Sequence, residues 1–417
     1  MAAVSDSSNV DIPLLKDEAG GLMMEEGIAS ITFFKGLYQP ASEALLAQLS
    51  AVVALNPWLA GRLVKANGKV VLQHPASPSP AQISALYKAT GADDALKLSH
   101  SSTYTSTCAA LYKAGNVMVG TGYSLVGKDS PVTLLRIAES EKDKAFAVIF
   151  SMSHAVGDGR TYYEVLEMLR PGAPVKPLNP VRVQTFSEGM REVCGRKELE
   201  WADSPGAQAM YTFSMMTAKK VSVCARYLDG ARVAAAKAEA ATLGGVPYVT
   251  TNDVITSAFF TECKSRIGMM GLDCRSKLPD LPLADDLAGN YVTALTMDPD
   301  TFGTPALIRK MLSETPYETT KKPLPSFCRW LVGKDNASFA MATNWSSFAG
   351  EGFQFEGSET VVHLPVKNPA YMVYDMMIPF KSGTGRKGVM CWTVSTNEEG
   401  LKKALPLGES VSEEMFP

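Results

Sequence analysis

The stretch "AFAVIFSMSHAVGDG", residues 145–159, decides how this chain is read. Its first half is continuously apolar, as a strand covered on both faces requires. The next segment, "GRTYYEVLEMLR" (159–170), has helical spacing, with Tyr162, Val165, Leu166 and Leu169 on one stripe. His154 therefore falls in the turn between a buried strand and a helix, four residues before Asp158. A general base needs a pKa near neutrality, one tautomer and access to substrate. Ala155, Val156 and Gly157 offer little bulk around the ring, and Gly159 is expected to permit a backbone conformation that other residues resist. The competing reading is a hydrogen-bonded core histidine.

Working outward, 417 residues can bury a large core and suit two domains better than one. Hydrophobic residues make up 46% and charged residues 20%, with a net charge of −3. Lys and Arg are scattered, so nothing here marks a nucleic-acid partner. The first residues lack the basic and apolar regions of a secretory signal, and no apolar run is long enough to span a membrane. Seven widely spaced cysteines without a C-x-x-C pair fit reduced thiols in a cytoplasmic protein. His74, His100, His154 and His363 show no metal-ligand spacing, so no metal is expected.

Along the chain, Ser42 reads as the cap of a helix that Pro57 interrupts. "GKVVLQ" (68–73) and "PVTLLRIAES" (131–140) read as strands. "RPGAPVKPLNPVRVQ" (170–184) is dense in proline and is expected to cross between two bodies as extended chain. The second half restarts with a strand and an alanine-rich helix, then "YVTTNDVITSAFFTECKSRI" (248–267), where Thr and Asn mark a helix start with Asp253 in the first turn. Strands and helices in both halves predict a mixed α/β protein. Its domains are expected at 1–175 and 216–417, joined by a crossover at 176–215.

At this point "SHAVGDG" resembles the H-x-x-x-D-G motif of the CoA-dependent acyltransferase superfamily. That group includes plant BAHD enzymes, trichothecene-type acetyltransferases, chloramphenicol acetyltransferase and condensation domains. Other segments are similar in the same order: "ITFFKG" (31–36), "LLAQLSAVVALNPWLAGRLV" (45–64), "TTNDVITSAFF" (250–260) and "LDCRSKLPDLPLADDLAGNYVTAL" (272–295). "ATNWSSFAG" (342–350) resembles the stretch before the plant enzymes' D-F-G-W-G motif. That motif has no clean copy; "GEGFQFEGSET" (350–360) keeps an aromatic–x–aromatic pattern and Gly357 but loses the Asp and Trp.

The resemblance implies a fold of two chloramphenicol-acetyltransferase-like domains, with His154 in a tunnel at their interface. It implies acyl-CoA as co-substrate, a small-molecule alcohol or amine as acceptor, no permanently bound cofactor and a monomer. His154 would be the general base, and Asp158 a structural orienter paired with Arg275. Thr343 and Trp345 would position the acceptor or stabilise the oxyanion, and Gly159 closes the motif. The CoA phosphates have no assigned residues, with Arg309-Lys310 and "TTKKPLPSFCRW" (319–330) as basic candidates. Asn290 reads as a turn residue and is left outside the site. A condensation-type enzyme using a carrier-bound acyl donor, and a non-catalytic acyl-CoA or metabolite-binding protein, stay open as alternatives.

Overall fold

The computed structural model describes residues 9–90, 104–115, 117–139, 144–216, 222–281, 283–348, 353–367, 375–381 and 388–410. His100 lies outside them, as do Ser140, Pro282 and residues 349–352 of the segments quoted above. The architecture is mixed α/β, with sheets flanked by helices, as expected.

One sheet has five strands in the order Glu359–Pro365, Ile28–Lys35, Ala145–Met152, Thr133–Glu139 and Tyr87–Thr90. Ala145–Met152 is its central strand, and every residue in it is buried, which accounts for the unbroken apolar run. Helix Tyr38–Leu55 packs against Thr133–Glu139 and against helix Gly159–Met168. It begins at Tyr38 and not at Ser42. Pro40 fits the first turn, where a helix needs no N–H donor, and Ser42 instead turns inward to meet the Tyr87 hydroxyl at 2.8 Å. The helix stops at Leu55, ahead of Pro57, as expected.

A seven-stranded sheet runs Val292–Met297, Ile267–Asp273, Phe339–Ala342, Asp375–Lys381, Val389–Ser395, Ser222–Leu228 and Leu407–Ser410. Phe339–Ala342 is parallel to both neighbours, and the remaining pairs are antiparallel. Both faces of this sheet are covered, and its strands alternate between two cores. Met377 and Cys391 join the core beneath helix Thr251–Glu262. Ile378, Phe380, Trp392 and Val394 join the core of the five-stranded sheet. Side chains of successive strand residues point to opposite faces, so one sheet serves both bodies.

Strand Glu359–Pro365 belongs to the C-terminal half of the chain yet pairs antiparallel with Ile28–Lys35. A division at 175 and 216 therefore does not assign each sheet to one continuous stretch. Residues 173–183 carry no helix or strand and touch the second half at the bridge of Asn179 to Leu287.

Candidate active site

The chain leaves the buried strand at Met152, turns through His154–Gly157 and enters helix Gly159–Met168. Asp158 starts that helix: its Oδ1 accepts from the Thr161 N–H at 2.9 Å, satisfying an amide the helix leaves free. The same carboxylate meets Arg275 from the second half, with Nη1 at 2.8 Å from Oδ2 and Nη2 at 3.3 Å from Oδ1. The Tyr291 N–H adds a third donor at 3.1 Å. Burial would push the Asp158 pKa up, but the guanidinium and these N–H donors outweigh it and hold the carboxyl below its ordinary value.

Arg275 is as deeply placed. It also donates to Asp273, Thr161 and the carbonyls of Leu287 and Gly289, and it lies 5.0 Å from the Tyr291 ring centroid. Burial favours its neutral form, yet the Asp158 and Asp273 carboxylates push its pKa above the usual arginine value. Gly289, at φ +145°, accepts at its carbonyl from the Asp158 N–H and the Thr161 hydroxyl. A Cβ there would stand 3.0 Å from Arg182 Nε, so glycine is required at this crossing.

His154 is half-buried, and its Nδ1 is fully covered with no hydrogen-bond partner among the described residues. Burial and, less strongly, the Lys367 cation lower its pKa, against its own backbone, Asp158 and Asn290, which favour the protonated ring. The net direction is downward, leaving a neutral imidazole at neutral pH.

Three residues that sequence reasoning left out grip this turn. Asn290 donates through Nδ2 to the His154 carbonyl at 2.7 Å and to Glu18 Oε1 at 3.1 Å. Read from the sequence as a turn residue, it contacts the His154 turn directly. Glu18 also takes the Asn290 backbone N–H at 2.8 Å and pairs with Arg182 at 2.7 Å, both side chains being wholly buried. Arg182 donates to the Val156 carbonyl at 2.9 Å. The "AGN" turn beside the D-x-R segment was the one available signal; Glu18 and Arg182 had none.

Trp345 is buried, with Tyr163 of the motif helix edge-on at 6.1 Å and Lys367 Nζ 5.8 Å from its ring centroid. Gly159 also faces it: an added Cβ would lie 3.7 Å from Trp345 Cδ1 and 3.4 Å from Phe348. Gly159 is not in the left-handed region, so the special backbone expected of it is absent; it is simply the first residue of the helix. Thr343 follows strand Phe339–Ala342, its N–H on the Met377 carbonyl and its hydroxyl over Gly271. His154, Asp158, Gly159 and Arg275 thus form one connected set with Trp345 against it, while Thr343 lies one strand away from Asp273.

The segment in the position of the missing D-F-G-W-G motif is an anchor for the five-stranded sheet. Phe355 meets Phe34 and Phe146 edge-on at 5.0 and 5.4 Å. Of the basic candidates for phosphate, Arg309 is committed elsewhere, its guanidinium at 2.7 Å from the Asp253 carboxylate and beside Tyr248. Lys321 pairs with Glu318 and Lys322 with Asp300.

Among the described residues no helix is long and apolar enough to cross a membrane, and no His, Cys, Asp and Glu cluster could hold a metal ion. No family model matches the sequence, and no curated protein matches it either. The fold is similar to several solved structures. One is the first condensation domain of the calcium-dependent antibiotic synthetase with a substrate analogue, at TM-score 0.57 and 12% identity over 96% of this chain and 94% of that one. Another is TRI101 of F. graminearum in complex with coenzyme A and T-2 mycotoxin, at TM-score 0.57 and 14% identity over 94% of this chain and 96% of that one. A third is polyketide synthase associated protein 5 from Mycobacterium tuberculosis, at TM-score 0.54 and 14% identity over 95% of this chain and 97% of that one. The likeness spans nearly the whole chain and establishes the two-domain fold of condensation and acyltransferase structures.

Proposed function

We propose that this chain is an acyl-CoA-dependent acyltransferase in which His154 acts as general base on a small-molecule alcohol or amine. The observation that carries the reading is the seating of His154. Its turn is clamped from below by the Asp158–Arg275 pair and from the side by Asn290, while burial holds the ring neutral. A neutral imidazole at a fixed position is what proton abstraction requires.

In this reading Nε2 takes the acceptor's proton as the acceptor oxygen or nitrogen bonds to the thioester carbonyl carbon. The tetrahedral intermediate collapses, the carbon–sulfur bond breaks, and the leaving thiolate receives the proton back from the imidazolium. No acyl-enzyme forms, so both substrates bind before chemistry. Asp158 faces Arg275 and the helix N–H groups, which leaves it an orienter of the turn and not a second acid. Trp345 is the residue proposed to present a donor to the acceptor or oxyanion. A contact of that kind lowers a barrier by about 2.7–4 kcal/mol. Thr343 is proposed in the same role from the adjoining sheet.

The test is thiol release from a panel of acyl-CoAs with pooled alcohols and amines, for wild type beside His154→Ala. Acceptor-dependent release that disappears in the folded variant is the expected result. Release from no acyl-CoA, with turnover of a carrier-bound acyl group instead, would replace this reading with the condensation type.

A further inference from the structure

Glu18 and Asn290 sit behind His154, and their hydrogen bonds leave the Asn290 amide only one orientation. Glu18 Oε1 accepts from Arg182 Nε at 3.0 Å, and the His154 carbonyl is an acceptor too. Both must face the NH2 group, because neither can donate to a carbonyl oxygen. Asn290 Oδ1 is thereby turned away from both, and it is buried with no partner. His154 Nδ1 is likewise buried with no partner, in the residue whose own carbonyl Asn290 grips. One orphaned group is on the Asn290 side chain and the other, of complementary type, is on the ring of the residue whose main-chain carbonyl that side chain holds at 2.7 Å; such a pair is the mark of a contact that tightens on binding.

We infer that Glu18 is a positioning residue which, by fixing the Asn290 amide, makes Oδ1 the acceptor for His154 Nδ1–H and so commits the ring to the tautomer with Nε2 free. This deepens the acyltransferase reading and rests on it for its catalytic meaning. Which nitrogen of a histidine carries the proton is set by the hydrogen bond the other one makes. Here the chain of command runs Arg182, Glu18, Asn290, His154. Its first two members come from the crossover and from the N-terminal segment, far from the motif in sequence.

The experiment is nitrogen-15 NMR of the histidine side chains in the full-length protein, with His154→Gln assigning the resonance among only four histidines. The two tautomers have distinct Nδ1 and Nε2 shifts. Wild type is expected to show Nδ1–H at His154. Glu18→Gln supplies an NH2 that can face Oδ1, and it is expected to mix the tautomers and lower kcat about tenfold with KM for acyl-CoA within twofold. Because Glu18→Gln also strips Arg182 of its counter-charge, Asn290→Ala is run beside it, with thermal unfolding on both. Asn290→Ala is expected to lose the tautomer preference while still folded. An unchanged Nδ1–H tautomer in a folded Asn290→Ala protein overturns the inference. Tautomer loss in a protein that transfers no acyl group from any donor upholds it and removes the acyltransferase reading instead.

Discussion

Arg275 reaches across 117 residues of sequence to close on both oxygens of Asp158, and both side chains are buried. Removing one partner of a wholly buried pair leaves the other charge stranded, at a cost of about 3–5 kcal/mol. Asp158→Asn is therefore expected to lower the unfolding free energy by that margin, read as a lower urea midpoint at an unchanged denaturant slope. An unshifted midpoint would mean that the asparagine amide replaces the carboxylate without loss. The sign with pH follows from the depressed carboxyl. The pair contributes fully above the ordinary aspartate value near 3.9, and its contribution drains as pH falls below that toward the lower folded value.

The lowered pKa of His154 has its own kinetic signature. The acid limb of kcat/KM is expected to fall below the ordinary imidazole value of about 6.5, because the base stays unprotonated further into acid. Lys367→Met removes a cation that opposes protonation, so it is expected to move that limb upward. A pH–rate profile of the two proteins reads the shift, and an upward limb in wild type would contradict the assignment of His154 as the titrating group.

A second histidine senses acid through stability alone. His363 is enclosed in the five-stranded sheet, with Nδ1 at 2.8 Å from the Thr32 hydroxyl, and burial lowers its pKa to about 4. The unfolded chain takes up its proton near 6.5, so stability is expected to fall as pH drops from 6.5 toward 4, by roughly 3 kcal/mol. Denaturant titrations at stepped pH, with His363→Gln as reference, measure the difference in slope; equal slopes would rule it out.

The two glycines of the motif are expected to respond in opposite ways. A Cβ on Gly159 would make ordinary contacts with Phe348 and Trp345, so Gly159→Ala is expected to be neutral or to stabilise by up to about 1 kcal/mol. On Gly157 it would stand 2.8 Å from Thr161 Cγ2. Thr161 cannot swing away, because its hydroxyl is bonded to Gly289 and Arg275. Gly157→Ala is expected to cost about 1–3 kcal/mol, the range for overpacking. Thermal unfolding of the pair decides it.

The strand–turn–helix around His154 was readable because a strand covered on both faces has a run of apolar residues and a helix has its own period. The partnership of Asp158 with Arg275 came through resemblance, since nothing local in a loop arginine announces a distant carboxylate. Glu18 and Arg182 left no such trace, and Asn290 left only the "AGN" turn beside the D-x-R segment. Single polar residues in loops have no periodicity, and their role arises only when folding buries them together, across 272 residues for Glu18 and Asn290. Ser42 shows the opposite failure: a good capping residue was overridden by Pro40, which let the helix begin a turn earlier. Gly159 was credited with backbone freedom it does not use, because composition does not reveal φ.

The strand at Glu359–Pro365 sets a timetable for the ribosome. When Ala145–Met152 emerges, Ile28–Lys35 can pair with it on one side only, and its other edge stays bare until residue 365 is made. At about 5–20 residues per second, the intervening stretch of roughly 200 residues takes about 10–40 s. For that interval the nascent chain carries an open β-edge rich in Ile and Phe, the kind of surface that recruits chaperones or seeds aggregation. A gene split between the two halves would inherit the same bare edge permanently, so the halves are expected to be soluble only when made together.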